Sequence, residues 1–261
     1  MSELKAVTPE HFAGRSWKNP GHFRVAAASH LIPVVAAELG RLVPSLPLAF
    51  VPEGAGWQLV ALTSLQPGSN LFIGPDGRWN GAYVPAAVRA YPFKLVRPQD
   101  AEQSVLCVHE DSDWIVAAGQ GNPFFDDAGQ PAAVTRDMLN FLVQVENSRL
   151  VTQRAVDAIA AAGLIVPWKI ELKSDTGIRM VEGLFRVDEA AIQTLDATAL
   201  AALRDAGGLT LAYAQIFAAG RLDQLPAAAA LQARQLASQA PAPTALDGLG
   251  MGFSGDTIKF N

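Results

Sequence analysis

Cysteine, long apolar runs and clusters of basic residues are all scarce in this sequence. Cys107 is the only cysteine among 261 residues, so the chain can form no internal disulfide and no zinc site built on several thiolates. A small apolar side chain in a strand over Ser104–Val108 is the simplest interpretation of Cys107. The net charge of −5 and the pI near 5.4 argue against a nucleic-acid-binding protein, which presents a basic face to phosphates.

The sequence also has no stretch that is long and apolar enough to cross a membrane. Its longest uncharged apolar stretch runs from Ala206 to Gly220, which is short of the roughly 20 residues that a transmembrane helix needs. No secretory signal is visible, because charged residues precede any apolar run, namely Glu3, Lys5, Glu10 and Arg15. With the single cysteine, these absences predict a soluble cytoplasmic protein.

Familiar catalytic motifs are missing as well. The sequence contains no G-x-S-x-G, no H-E-x-x-H and no G-x-x-x-x-G-K-S/T. Gly119 and Gly121 imitate a dinucleotide-binding loop, but no third glycine follows in register and Pro123 interrupts a helix start. We therefore assign no catalytic residue from sequence and expect no nucleotide cofactor.

Histidine and acidic residues do not form a recognisable metal site. No pair of histidines has the i, i+2 or i, i+4 spacing that favours a shared metal; the four are His11, His22, His30 and His109. The acidic runs at Glu110–Asp113 and Asp126–Asp127 lack the alternating ligands of a calcium loop and are typical of solvated turns. The sequence thus predicts neither a metal nor any other cofactor.

The distribution of proline and of helical periodicity predicts an α+β fold. Nine prolines between Pro33 and Pro98 favour short strands and turns in the first part. There we expect one helix, at His30–Val43, and strands at Leu48–Val51, Trp57–Leu65, Phe93–Arg97 and Ser104–Val108. The result would be an antiparallel, sheet-rich N-terminal half.

The second half has a helical pattern. Few helix breakers interrupt Ala133–Ala162, and Gly163 is placed to end this helix. A hairpin is predicted around S-D-T-G, followed by helices that Asp188 and Asp196 cap and by a helical Leu222–Ala240. We expect a single unit over 1–261, with a loose leader at 1–20 and an extended tail at 241–261.

The segment Gly68–Phe93 combines arginine, aromatic residues and turn-forming residues, and it is the candidate ligand-binding region. Arginine binds carboxylate or phosphate, and aromatic faces bind rings and cations. We expect at least two of its members to line any ligand pocket; these are Arg78, Trp79, Tyr83, Arg89 and Tyr91. His30, at the start of the predicted helix, is a sixth candidate.

Structural roles are the alternative for the same residues. Trp79 and Phe93 would then fill the core, and the two arginines would satisfy carbonyl groups among the turns. A second polar patch, at Glu146 and Arg149, has the i, i+3 spacing of two side chains that simply pair with each other on a helix.

Four ordered blocks resemble the bacterial SapC family, over Asn19–Ala227 and extending in part to Leu246–Phe260. They read HLIPVVAAELGRLVPSLPLAFV, GRWNGAYVPAAVRAYPF, NPFFDDAGQP and GLFRVDEAAIQTLDATALAALRDAGGLTLAYAQIFAAGRLDQL. The resemblance implies a link to a bacterial surface-layer locus, and it is not to the transporter permease of the same name. It also implies genetic neighbours that are TonB-dependent receptors, flavin-dependent halogenase-like proteins or cupin-like proteins, and hence a peptide or glycan ligand.

Three functions are compatible with these observations. The first is a soluble accessory or binding protein for a peptide or glycan, since catalytic motifs are absent while the arginine and aromatic block is present. The second is an enzyme with an unrecognised site, which His30 or His109 in a deep pocket with two acidic side chains would favour. The third is a structural or assembly partner of the surface layer, which would self-associate through an exposed apolar patch as a homo-oligomer.

Overall fold

The computed structural model describes residues 3–98, 103–174 and 177–239. The strands are β1 (Leu4–Ala6), β2 (Arg15–Trp17), β3 (Leu31–Pro33), β4 (Leu48–Glu53), β5 (Gly56–Leu62), β6 (Phe93–Val96), β7 (Val105–His109), β8 (Ile115–Ala117), β9 (Asn122–Pro123), β10 (Ile165–Pro167), β11 (Ile170–Ser174), β12 (Gly177–Val181) and β13 (Phe185–Val187). The helices are α1 (Pro9–Phe12), α2 (Leu39–Leu42), α3 (Ala86–Arg89), α4 (Ala133–Ala161), α5 (Glu189–Ile192), α6 (Ala197–Asp205), α7 (Gly208–Ala219) and α8 (Gln224–Gln239).

The strand pairs in the described residues are all antiparallel. The larger sheet has the order β10-β13-β4-β5-β3, and two smaller sheets have the orders β1-β7-β6 and β8-β2-β9. The strands β11 and β12 form the predicted hairpin. The α+β fold class, with antiparallel sheets mainly in the first half and helices mainly in the second, is confirmed. No helix in the described ranges is long and apolar enough to span a membrane.

Helix α4 is the longest element and lies within one residue of its predicted bounds. Its buried residues, among them Leu142, Val156 and Ile159, recur at helical spacing and form one apolar face. Gly163 follows with a φ of 68°, the left-handed conformation that ends helices at low cost for glycine. Helix α4 contacts both the larger sheet and β6, so the two sheets pack against the same helix.

The prediction of a helix over His30–Val43 is largely wrong. Leu31–Pro33 is instead the edge strand β3, and only a 3₁₀ turn at Ala36–Glu38 and the short α2 are helical. Pairing with β5 buries Ile32 at 2% exposure, which outweighs the local helical pattern. An edge strand tolerates Pro33, whose missing N–H is not needed by a further neighbour.

The N-terminal residues also differ from the loose leader expected over 1–20. Within the described part, β1 pairs with β7, and β2 lies between β8 and β9. Phe12 and Trp17 are almost fully buried, and the Phe12 ring lies 4.8 Å from that of Phe124. Burial of these two aromatic side chains orders the segment. The predicted tail at 241–261 lies outside the described residues.

The main hydrophobic core contains residues from both halves of the chain. Leu48, Phe50 and Leu59 from the larger sheet pack in one cluster with Ile159 of α4 and Leu211 of α7. A second cluster, around Phe93, Phe124 and Leu142, lies between α4 and the sheet β1-β7-β6. Helix α4 contributes to both clusters, and a cavity is left between them.

Candidate functional site

A cavity of about 400 Å³ lies where α4, β6, α3 and the β4–β5 hairpin approach one another. Its floor is apolar and mostly aliphatic, and its buried members include Val34, Leu59, Phe93, Leu142 and Val156. Val145 lies one helical turn from Leu142 on the same wall. An apolar floor of this kind favours ligands that carry an aliphatic or aromatic group.

Charged side chains surround this floor. Arg149 and Glu146 form a bidentate ion pair, with Nη2–Oε1 at 2.7 Å and Nε–Oε2 at 2.8 Å. The hydrogen bonds from Arg149 lower the pKa of Glu146, and Glu146 in turn raises that of Arg149. The prediction that these two residues pair with each other is confirmed. Lys94 and Glu53 add a cation and an anion to the lining.

Glu38 is a buried carboxylate in the cavity wall, with only 5% of its surface exposed. Its Oε1 accepts hydrogen bonds from the Ala86 N–H at 2.6 Å and from the Tyr83 hydroxyl at 3.0 Å, and its Oε2 accepts one from the Val35 N–H at 3.2 Å. Burial and the neighbouring Glu38 carboxylate raise the pKa of Tyr83. The carboxylate therefore joins the segment before α2 to the start of α3.

Two hydroxyl groups of α4 hold the turn that carries Glu38. The Ala36 N–H donates to Thr152 Oγ1 at 2.7 Å, and the Ala37 N–H donates to Ser148 Oγ at 3.0 Å. These side chains satisfy the free N–H groups at the start of the 3₁₀ turn, as a capping residue would. The position of Glu38 thus depends on α4, more than 100 residues along the chain.

Arg89 connects α3 to the same helix. Its Nη2 donates to the Tyr83 hydroxyl at 2.9 Å and its Nε to the Val84 carbonyl at 3.0 Å. The guanidinium carbon lies 5.0 Å from the ring centre of Phe141 and 5.4 Å from that of Tyr83. Such contacts between a cation and aromatic faces stabilise the packing of α3 on α4.

Tyr91 and His109 stack at one end of the cavity, with ring centres 5.5 Å apart and planes 29° apart. Burial lowers the pKa of His109; Asp111 opposes this effect and Lys94 adds to it. The neutral imidazole is therefore favoured, a form that can accept a proton.

The structure distributes the six candidate ligand-binding residues over several places. Tyr91 lines the cavity, while Tyr83 and Arg89 reach its wall through Glu38. Arg78 is 79% exposed in its side chain and pairs with Asp76 at 3.5 Å, in the predicted G-P-D-G turn.

The remaining two candidates lie apart from this cavity. Trp79 stacks on Phe72 with ring centres 5.6 Å apart, and its buried Nε1 has no hydrogen-bond partner among the described residues. His30 lines a separate cavity of about 300 Å³ together with Arg179 and Glu182.

Sequence reasoning missed three charged residues of the cavity, namely Glu38, Glu53 and Lys94. Glu38 is a single acidic residue in an apolar stretch, a pattern that hints at a buried polar role but does not identify its partners. Lys94 lies between two apolar residues in β6, which is the ordinary pattern of a solvent-facing strand residue. Its sequence context therefore gave no reason to predict a functional role. The described residues contain no cluster of three or more potential metal ligands.

A protein-family model described as SapC matches residues 7–225. This chain belongs to the SapC family. The match includes every residue that lines the cavity and confirms the resemblance seen in the four sequence blocks. No curated protein and no solved structure matches the chain.

Proposed function

We propose that this SapC protein binds a peptide in the cavity between α4 and β6. The observation that carries the proposal is the combination of an aliphatic floor with a charged rim around a space of about 400 Å³. Ligand sites typically combine such an apolar lining with a few polar groups that orient the ligand. A peptide offers both an apolar side chain for Leu142 and Val156 and charged or backbone groups for the rim.

A glycan fits this lining less well than a peptide. Sugar rings bind best on exposed aromatic faces, whereas the aromatic residues in the lining are Tyr91, already stacked on His109, and Phe93, which is 3% exposed. The aliphatic residues of the floor offer no hydrogen bonds to hydroxyl groups. In the setting that the SapC resemblance implies, the peptide would belong to the bacterial surface or to TonB-dependent uptake, and this protein would be an accessory binding protein.

Blocking the cavity provides the test. Val145→Phe places an aromatic ring in the cavity wall, while Val143→Phe puts the same ring on the same helix at a position that is 39% exposed and outside the lining. Peptides selected from a random display library would be measured against both variants by calorimetry. We expect Val145→Phe to weaken binding at least about 30-fold, a loss of roughly 2 kcal/mol, with Val143→Phe unchanged.

Two outcomes would contradict the proposal. Selected peptides that bind both variants equally would place the peptide site elsewhere. If the library yields no binder and a glycan array yields ligands that Val145→Phe excludes, the ligand class is a glycan instead.

An enzyme acting on the same ligand is the second candidate, because His109 lines the cavity together with Glu38, Glu53 and Glu146. A neutral histidine near carboxylates is suited to general acid–base catalysis. In that case the protein would convert a bound peptide to a product detectable by mass spectrometry, and His109→Gln would abolish conversion while retaining binding. An unchanged peptide after prolonged incubation would exclude this candidate for that peptide.

A further inference from the structure

The proposed peptide cavity runs along the free edge of a β-strand. In the described sheet β1-β7-β6, β6 is the outer strand and pairs with β7 alone. Lys94 and Leu95 are consecutive in β6, so their side chains point to opposite faces of the sheet. Both nevertheless line the cavity. A cavity that contacts both faces of one strand reaches the edge of that strand.

The pairing register identifies the backbone groups that point to this edge. The His109 N–H donates to the Pro92 carbonyl at 3.0 Å. Because hydrogen-bonded and non-hydrogen-bonded pairs alternate in antiparallel ladders, the next hydrogen-bonded pair is Lys94 with Cys107. The N–H and C=O groups of Leu95 therefore point away from β7. Outside this ladder, no hydrogen bond among the described residues uses the Leu95 backbone.

Side chains on the two faces of β6 differ in character. On one face, Phe93 and Leu95 pack in the cluster that contains Leu142, and together they form the apolar side of the cavity. On the other face, Lys94 is exposed and forms no ion pair with any described residue. Arg149, by contrast, is neutralised by Glu146. Lys94 is thus the cation of the cavity that remains available to a ligand.

From this geometry we infer that the bound peptide is extended and adds to β6 as a further strand. Its backbone pairs with the free N–H and C=O of Leu95, as in other complexes where a peptide extends an exposed sheet edge. Its alternate side chains meet the two faces of β6, so an acidic residue lies at Lys94 and apolar neighbours enter the cavity on the side of Leu142. The inference rests on the proposed function and defines its ligand class as an extended, apolar peptide with an acidic residue.

Amide hydrogen exchange measured by NMR tests the strand addition directly. The probe is a library-selected peptide whose binding Val145→Phe blocks, added at saturation to the full-length protein. We expect the Leu95 N–H to exchange at least about tenfold more slowly in the complex, because it gains a hydrogen bond. The Lys94 N–H already donates to β7 and should change much less.

The outcomes of this measurement separate the two proposals. An unchanged Leu95 exchange rate with a cavity-bound peptide overturns strand addition and leaves peptide binding intact. If no peptide binds the cavity, the proposed function and the strand addition are both overturned.

Methylation of single backbone nitrogens of the peptide gives a second test. Binding should weaken when alternate residues are methylated and not when the residues between them are. Equal effects at consecutive residues would also contradict strand addition.

A charge reversal tests the acidic residue of the ligand. We expect Lys94→Glu to weaken binding of an acidic peptide about fivefold at low salt and to strengthen binding of its lysine-substituted analogue, since rim charges make modest contributions. Lys169→Glu, an exposed substitution outside the cavity lining, is the matched control. Equal effects of the two substitutions on both peptides would show that Lys94 does not select the ligand.

Discussion

Glu38 joins two segments of the cavity wall through three hydrogen bonds. In Glu38→Ala, three donors lose their acceptor: the N–H groups of Val35 and Ala86 and the hydroxyl of Tyr83. Because unsatisfied buried donors retain the cost of their desolvation, we expect a loss of about 3 kcal/mol in the free energy of unfolding. Urea denaturation at pH 7 measures it.

Glu146→Ala is the matched control for this change. It removes a carboxylate of the same cavity whose partner is Arg149, but both side chains are more than one-third exposed. Exposed ion pairs contribute little, so we expect a loss below about 1 kcal/mol. Equal losses for the two substitutions would show that the buried network around Glu38 has no special role in stability.

His109 makes stability depend on pH in a predictable direction. Its pKa in the folded protein lies below the ordinary value of 6.5, mainly because burial disfavours the charged form. Its contribution to stability is therefore complete above pH 6.5 and is lost as the pH falls through the folded pKa. His109→Phe preserves a ring beside Tyr91 without titrating.

The urea midpoints of both proteins at pH 7.5 and pH 5.5 test this prediction. We expect the wild-type protein to lose more stability on acidification than His109→Phe. Other groups titrate in both proteins, so only the difference between the two pH dependences is informative. The same loss in both proteins would contradict the role assigned to His109.

At the scale of secondary structure, the packing of α7 against α6 and α4 depends on Gly208. A Cβ atom at this position would lie 2.5 Å from Leu203 Cδ1 and 3.2 Å from the backbone oxygen of Ala155. The helix backbone can move little, so Gly208→Ala should cost about 1–3 kcal/mol in urea denaturation.

Gly220→Ala is the control within the same region. No atom lies within 4 Å of its added Cβ, and its φ of −62° suits any residue. We expect unchanged stability or a gain of up to about 1 kcal/mol, because alanine reduces the entropy of the unfolded chain. A loss at Gly220 as large as that at Gly208 would show that close packing is not the cause.

At the scale of the whole molecule, the shared core predicts cooperative unfolding. Phe50 and Leu59 from the first half lie in one cluster with Ile159, Leu203 and Leu211 from the second. Neither half can retain this cluster alone, so we expect one calorimetric transition whose van 't Hoff and calorimetric enthalpies agree. Limited proteolysis that released two stable fragments near Gly163 would contradict the single unit.

Local signals in the sequence determined several elements of this fold. The helical spacing of apolar residues predicts α4. Asp188 and Asp196 accept hydrogen bonds from backbone N–H groups of the helices that follow them, as predicted for capping residues. The turn at Gly74–Gly77 likewise follows from its proline and glycine chemistry. Each of these signals acts over a few residues, so it is visible without knowledge of the rest of the chain.

Only the tertiary structure decided the cavity and the partners of its residues. Glu38 accepts a hydrogen bond from Ala86, and the turn that carries it is held by Thr152 of α4, because three distant segments pack together; no local pattern records that packing. Pairing with β5 likewise made a strand of Leu31–Pro33, against the local helical pattern. Lys94 lies beside a strand edge because β6 is the outer strand of its sheet among the described residues, and strand order depends on which distant segments bury each other's surfaces.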